Sequence, residues 1–286
     1  MKLSGLNALV TGGSQGFGRH IVEAFLTEGA NVLFCARTAA DVAQAGTKLA
    51  AQFPGGPKLK GVVADIADPA SVSALFAAAA EFLGPLDAVV NNAGVYGPIG
   101  LTEEIPWDEW LQTVNINLSG TLLVSREAIR AMKPRGHGKI VVISGGGATN
   151  PMPRFAAYAA TKAAVVRLTE TLAEELREFH IDVNAVAPGA LQTRLMAQVL
   201  AAGPEKAGKD FYAQNQKWAE HGAVDPRLGA ALCVFLASRE SDGITGKLIS
   251  ARWDPWRDFP RLRDQLRNDI YTLRRIVPED RGQKWS

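Results

Sequence analysis

Cysteine is scarce in this chain. Cys35 and Cys233 are the only two, and each lies in apolar sequence. That excludes a disulfide-stapled fold and fits buried thiols in a reducing compartment. An excess of one charge is also missing. A formal charge of +2 gives no concentrated basic face, so no nucleic-acid partner is expected. No run approaches the roughly 20 apolar residues that cross a bilayer, so no membrane partner is expected either. The opening MKLSGLNALV runs straight into a strand-like segment, without the charged, apolar and cleavage regions of a signal peptide. A cytoplasmic location is the expectation. What the chain has is length and apolar content: 286 residues, 47% hydrophobic, enough for one large core.

Short β-rich runs alternate with helix-like segments. Strands are expected at Ala8–Thr11, Asn31–Cys35, Lys60–Ala64, Ala88–Asn91, Lys139–Ile143, Ile181–Ala185 and Lys247–Ser250. Helices are expected at Arg19–Glu28, Asp41–Phe53, Ser71–Phe82, Trp107–Met132, about 157–179, and Arg227–Ser238. The β-runs are nearly all apolar, as strands covered on both faces are. The alternation predicts an α/β fold: a doubly wound, mainly parallel seven-stranded sheet of Rossmann type with helices on both faces. The segment 190–223 breaks the rhythm. It is polar, carries Gly203, Pro204 and Gly208, and reads as a mobile insertion over the sheet's C-terminal edge.

The first strand runs into TGGSQGFG, with Gly12, Gly16 and Gly18 spaced G-x-x-x-G-x-G before a helix. Such a turn lets the backbone approach a pyrophosphate, and the helix N-terminus then offers free N–H groups and a positive dipole end. The second strand ends in Ala36 and Arg37 where a carboxylate would grip the ribose 2′-hydroxyl of NAD(H). A guanidinium there pairs with a 2′-phosphate, and Ser14 can add a hydrogen bond, so NADP(H) is expected over NAD(H). Asp65, after the third strand, can accept from the adenine amino group or cap the following segment. Asn91, Ala93 and Gly94, in NNAG, let the backbone lie against the adenosine ribose. Tyr158 and Lys162 share one helical face at i and i+4. An ammonium beside a phenol favours the phenolate, making Tyr158 a candidate acid/base and Lys162 its tuner.

As a set, TGGSQGFG, Asp65, NNAG, Asn115, YAATK and the PGALQT stretch at 188–193 resemble the short-chain dehydrogenases/reductases over roughly residues 5–250. The resemblance implies hydride transfer between a nicotinamide cofactor and a carbonyl/alcohol pair. It implies that Pro188, Gly189 and Thr193 bind the cofactor, with Thr193 on the nicotinamide carboxamide, and Lys162 can also hold the nicotinamide ribose hydroxyls. It implies that Asn115 supports a water-linked proton path to Lys162. It further implies a homodimer or homotetramer, for which the Ala-rich face of Ala159, Ala160, Ala163 and Ala164 is suited.

In the family pattern an assisting serine stands thirteen residues before the tyrosine. Here that position is Gly145, and Ser144 stands at fourteen. Either the loop carries an extra residue and Ser144 acts, or glycine has replaced the serine, because a one-residue slip in a strand reverses a side chain's face. Ser144 is the favoured reading, with the pliable triple glycine absorbing the slip. On the alternative, a substrate hydroxyl, a water or Thr149 stands in.

Asn150, Met152, Arg154, Phe155, Val95 and Tyr96 are expected to flank the pocket with the 190–223 insertion, Arg154 as a possible anion contact. Residues 1–250 read as the catalytic domain. Residues 251–286, with nine Lys or Arg against six Asp or Glu, read as an extension packing on the domain or a neighbouring subunit. Trp253 and Trp256 offer faces to a base or sugar, and Arg252, Arg257, Arg274 and Arg275 offer charge to phosphate. A phosphate-bearing or nucleotide-linked small molecule is therefore one expected substrate class, and the SGGGA loop with such a tail resembles reductases of polysaccharide and nucleotide-sugar pathways. The rival readings are a cofactor-binding sensor or scaffold with little turnover, and a cofactor-retaining isomerase or epimerase of a sugar nucleotide. No metal ligands are expected.

Overall fold

The computed structural model describes residues 1–267 and 269–283. Seven strands, β1 (Asn7–Thr11), β2 (Asn31–Ala36), β3 (Leu59–Val63), β4 (Ala88–Asn91), β5 (Gly138–Ile143), β6 (Ile181–Ala187) and β7 (Leu248–Ser250), form one sheet. Their order is β3-β2-β1-β4-β5-β6-β7, and every pair is parallel. All seven expected strands are present within two residues at either end.

The apolar runs are continuous because successive side chains enter two different cores. Val10, Phe34 and Val141 pack under α1 (Gly16–Thr27), α2 (Ala39–Gln52) and α9 (Pro226–Ala237). Leu9, Leu33 and Val142 pack under α3 (Pro69–Leu83), α5 (Gly120–Met132) and α6 (Ala156–Glu175). Each fully buried Leu, Val or Phe contributes roughly 1.5–3 kcal/mol. Phe34 occupies the room left by two glycines: a Cβ on Gly13 would stand 2.6 Å from its Cβ, and one on Gly61 2.8 Å from its Cζ.

The expected long helix at 107–132 is interrupted. α4 (Trp107–Val114) passes through one π-turn, Asn115–Ser119, before α5 begins. The 190–223 segment is not a loose insertion. It forms α7 (Arg194–Ala207), broken at Gly203 with φ +75°, and α8 (Lys209–His221). Its polar composition hid an apolar stripe of Val199, Ala207, Phe211 and Tyr212, which packs with Phe155 and Tyr158.

The chain after β7 folds back on the domain. Trp256 is buried against Phe235, its Nε1–H donating to the Ala251 carbonyl at 3.1 Å. Leu248 N–H of edge strand β7 donates to the Tyr271 carbonyl at 2.8 Å. Leu273 N–H donates to Glu170 Oε1 at 2.6 Å, and Arg167 donates to the Leu273 carbonyl, so α6 is tied to the same segment.

Candidate active site

The sheet's winding reverses between β1 and β4, and a cleft opens there at the strands' C-terminal ends, where doubly wound sheets bind ligands. Gly12, Ser14, Gly16, Gly18, Arg37, Asp65, Ala93, Gly94 and Thr193 all line it. Gly12 has φ +65°, and a Cβ on it would stand 2.9 Å from Ala93 Cα, so glycine permits both the turn and the close approach to β4. α1 starts at Gly16 with no side-chain cap from Gln15. Its first-turn N–H groups are left for a ligand. Arg37 is exposed on the rim and makes no ion pair among the described residues. Asp65 Oδ1 accepts from Ala67 N–H at 2.9 Å, while Asp68 caps α3.

Asn91 does not face the cleft. Its side chain turns to α5, where Nδ2 donates to Ser125 Oγ at 3.1 Å. Asn92 lines the cleft and its Nδ2 donates to the carbonyls of Thr11 and Gly12 at 2.9 and 3.2 Å. Strand alternation explains the correction, since adjacent residues leave opposite faces. Pro188 and Gly189 lie off the cleft lining. Pro188 packs beside Gly229, and Gly189, at φ +91°, packs beside Val224.

Tyr158 and Lys162 meet on α6 as their spacing predicts, both buried. Lys162 Nζ donates to the Ile143 carbonyl at 2.7 Å and lies 5.6 Å from the Tyr158 ring centre. Burial brings the Lys162 ammonium down to about 8 and holds the Tyr158 phenol well above its ordinary value, with the nearby Tyr96 adding to the latter.

Gly145, the residue thirteen before the tyrosine, lies against the Tyr158 hydroxyl. Ser144 Oγ donates to the Lys162 carbonyl at 3.2 Å. Gly145 continues the extended backbone at φ −179°, and a Cβ built on it would stand 2.5 Å from Tyr158 Oη. The strand therefore aligns without a slip, and Gly145 occupies the position from which a side chain would reach the phenol. Thr149, the other hydroxyl of the loop, is exposed and accepts from Asn150 Nδ2 at 3.2 Å.

Asn115 is likewise displaced from its expected role. It is exposed and lines a shallow hollow with Arg37, Asp65 and Gln112. Two residues on, inside the π-turn, Asn117 is buried. Its Oδ1 accepts from Val95 N–H at 2.9 Å, and its Nδ2 donates to the Val95 carbonyl at 2.9 Å and to Thr161 Oγ1 at 3.1 Å. Single π-turns re-aim a side chain without ending a helix and gather at functional sites. The signal available in the sequence was the paired NIN, in which either asparagine fits an ideal helix.

Known proteins share this fold. Residues 6–203 match the family model for short chain dehydrogenase. The chain belongs to the short-chain dehydrogenase family. It is 34% identical over 255 residues to a short-chain type dehydrogenase/reductase of Picea abies, covering 86% of this chain and 91% of that one. Among solved structures it superposes on levodione reductase with a TM-score of 0.80 at 27% identity, covering 87% of this chain and 96% of that chain. It superposes on a gluconate 5-dehydrogenase of Burkholderia cenocepacia, solved with NADP and tartrate, with a TM-score of 0.76 at 27% identity, covering 87% and 94%. This short-chain dehydrogenase is thus an oxidoreductase of CH–OH groups with NAD(P) as acceptor.

The residues present fit that cofactor class: the glycine turn, the uncapped start of α1 and the Thr193 position form one cradle. The tail does not reach it. Among the described residues after 250 none lines the cleft, Trp256 is buried, and Arg274 is paired with Asp269 and Asp280. Arg154, at φ +70°, donates from Nη1 to the Glu205 carbonyl at 2.6 Å, so it holds the end of α7 in place of an anion.

Proposed function

We propose that this enzyme is an NADP(H)-dependent reductase of a carbonyl, with Tyr158 as general acid. The observation that carries the reading is the buried Tyr158–Lys162 pair, with Lys162 Nζ 3.6 Å from where a Cβ on Gly94 of the cleft would stand, and Arg37, which makes no ion pair among the described residues, on the rim of the same cleft. Bound NADPH supplies the hydride. The glycine turn and Thr193 hold the dinucleotide, and Arg37 with Ser14 takes the 2′-phosphate. Burial keeps the phenol protonated, the form that donates to a carbonyl oxygen. Lys162, close to the phenol, steadies the negative charge left on Tyr158 after transfer. Asn117, which bridges the Val95 backbone to Thr161, takes the proton-path role expected of Asn115.

The wall beside Tyr158 is aromatic, from Tyr96, Phe155 and Phe211, at ring separations of 4.6 to 5.3 Å. It favours a carbonyl compound with an apolar ring face over a phosphorylated one. The partly exposed alanines of α6, together with exposed Trp107, Leu111 and Leu122 on α4 and α5, support a homodimer or homotetramer packed through these helices. The loss of a serine at Gly145 also supports the rival reading of a cofactor-binding protein with little turnover.

The test is NADPH oxidation followed with levodione, 5-ketogluconate and ethyl acetoacetate, alongside NADPH and NADH affinities of wild type and Arg37→Ala. Stoichiometric alcohol formation supports the reductase. An R37A loss of tenfold or more for NADPH, with NADH unchanged, supports the cofactor preference. Saturable NADPH binding with no turnover of any probe supports the sensor instead.

A further inference from the structure

Gly145 leaves the reacting oxygen with one hydrogen-bond donor where two are expected. A second hydroxyl is nonetheless present, on a different element. Tyr96 follows NNAG on the loop after β4, and its ring stands edge-on to Tyr158, with centroids 4.6 Å apart and planes at 75°. A second edge contact, to Phe155 at 5.3 Å, adds to it, and Phe155 is itself braced by Phe211 at 4.9 Å.

The backbone under Tyr96 is pinned on both flanks. Asn117 takes both the N–H and the carbonyl of Val95, at 2.9 Å each. Gly97, at φ +72°, is pressed against Thr113 so closely that a Cβ there would enter the threonine side chain. A rigidly held donor is what oxyanion stabilisation requires, because its orientation costs nothing at the moment of reaction.

The Tyr96 hydroxyl has no hydrogen-bond partner among the described residues. The third phenol of this aromatic cluster, Tyr212, accepts from Gln216 Nε2 at 3.4 Å. Ser144 is turned into the Lys162 backbone and Thr149 is exposed on the outer loop. Tyr96 is therefore the hydroxyl that is rigid, unspent and adjacent to the acid.

We propose that Tyr96 is a catalytic residue of this enzyme: its hydroxyl donates the second hydrogen bond to the reacting carbonyl oxygen, replacing the serine absent at Gly145. This rests on the reductase reading above. The transferred proton comes from Tyr158; Tyr96 keeps its own and only steadies the developing negative charge. Burial lifts the Tyr96 phenol to about 12, so it remains a donor throughout the working range.

The experiment measures kcat and KM with NADPH and whichever of the three ketones is turned over, for wild type, Tyr96→Phe, Tyr158→Phe and a variant with 3-fluorotyrosine at position 96. NADPH affinity and Tm report on folding. Tyr96→Phe is expected to lower kcat about a hundredfold, the usual effect of removing one oxyanion donor, with KM within about threefold. The fluorinated phenol, a more acidic donor, is expected to raise kcat, whereas a purely packing role would leave it unchanged. An Y96F enzyme with wild-type kcat, while Y158F is dead, overturns this inference and leaves the reductase intact. Activity surviving in Y158F, or no turnover by wild type, overturns the underlying reading as well.

Discussion

Lys162 carries a cost in stability that its chemistry requires. Its ammonium deprotonates near 8 in the folded chain against 10.5 for the free group, because burial penalises the charge. The unfolded chain therefore binds more protons between those two values, and stability rises with pH across that window. Below it the full cost is present. Lys162→Met is expected to raise Tm by several degrees at pH 7, the advantage shrinking as pH climbs toward 10.5, while abolishing turnover. Thermal melts of both proteins from pH 6 to 10 check this; an equal or lower Tm for the variant at pH 7 contradicts it. At this scale the sequence named the right neighbourhoods and often missed the residue by one or two. Ser144 and Gly145, and Asn91 and Asn92, are adjacent pairs on extended backbone, where a single step reverses the face. Residue type alone does not reveal which member faces the cleft.

The π-turn at Asn115–Ser119 shows how an element is shaped by the site. A regular helix through 107–132 matches the periodicity of the sequence, and the extra backbone residue leaves no mark on it. Its consequence is that Asn117 reaches the loop after β4 while Asn115 is left exposed. Asn117→Ala is expected to free Val95, destabilising the fold by about 1–3 kcal/mol through the unpaired backbone groups and lowering kcat. Asn115→Ala is expected to change stability by less than about 0.5 kcal/mol, as exposed substitutions do. Urea unfolding and steady-state kinetics on the pair separate the two. α7 and α8 were missed for a different reason: their apolar residues face the aromatic wall as a narrow stripe within a polar, glycine-punctuated segment, so composition outweighed spacing.

Across the whole molecule, the parallel seven-stranded sheet and its two helical layers were legible because each β-run is apolar on both faces and strands alternate with helices. The placement of the tail was not. Tryptophans and arginines serve equally well as ligand contacts or as packing anchors, and only the partners of Trp256 and Arg274 decide between those uses. Deleting 255–286 uncovers β7, whose Leu248 N–H is otherwise paired with Tyr271. An unprotected edge strand invites pairing with another chain. The truncated protein is expected to melt earlier and to enter larger, concentration-dependent species on size-exclusion chromatography; unchanged elution and Tm contradict a covering role.

The proposal that Tyr158 serves as the acid, beside Lys162 and a bound dinucleotide, is tested most directly by a single-turnover measurement. Enzyme loaded with NADPH is mixed with the ketone, and loss of nicotinamide absorbance is followed for wild type and Tyr158→Phe. The predicted result is a wild-type transient that falls by a thousandfold or more in Y158F while NADPH affinity stays the same, on the order of what a lost general acid costs. An equal transient in both proteins contradicts it.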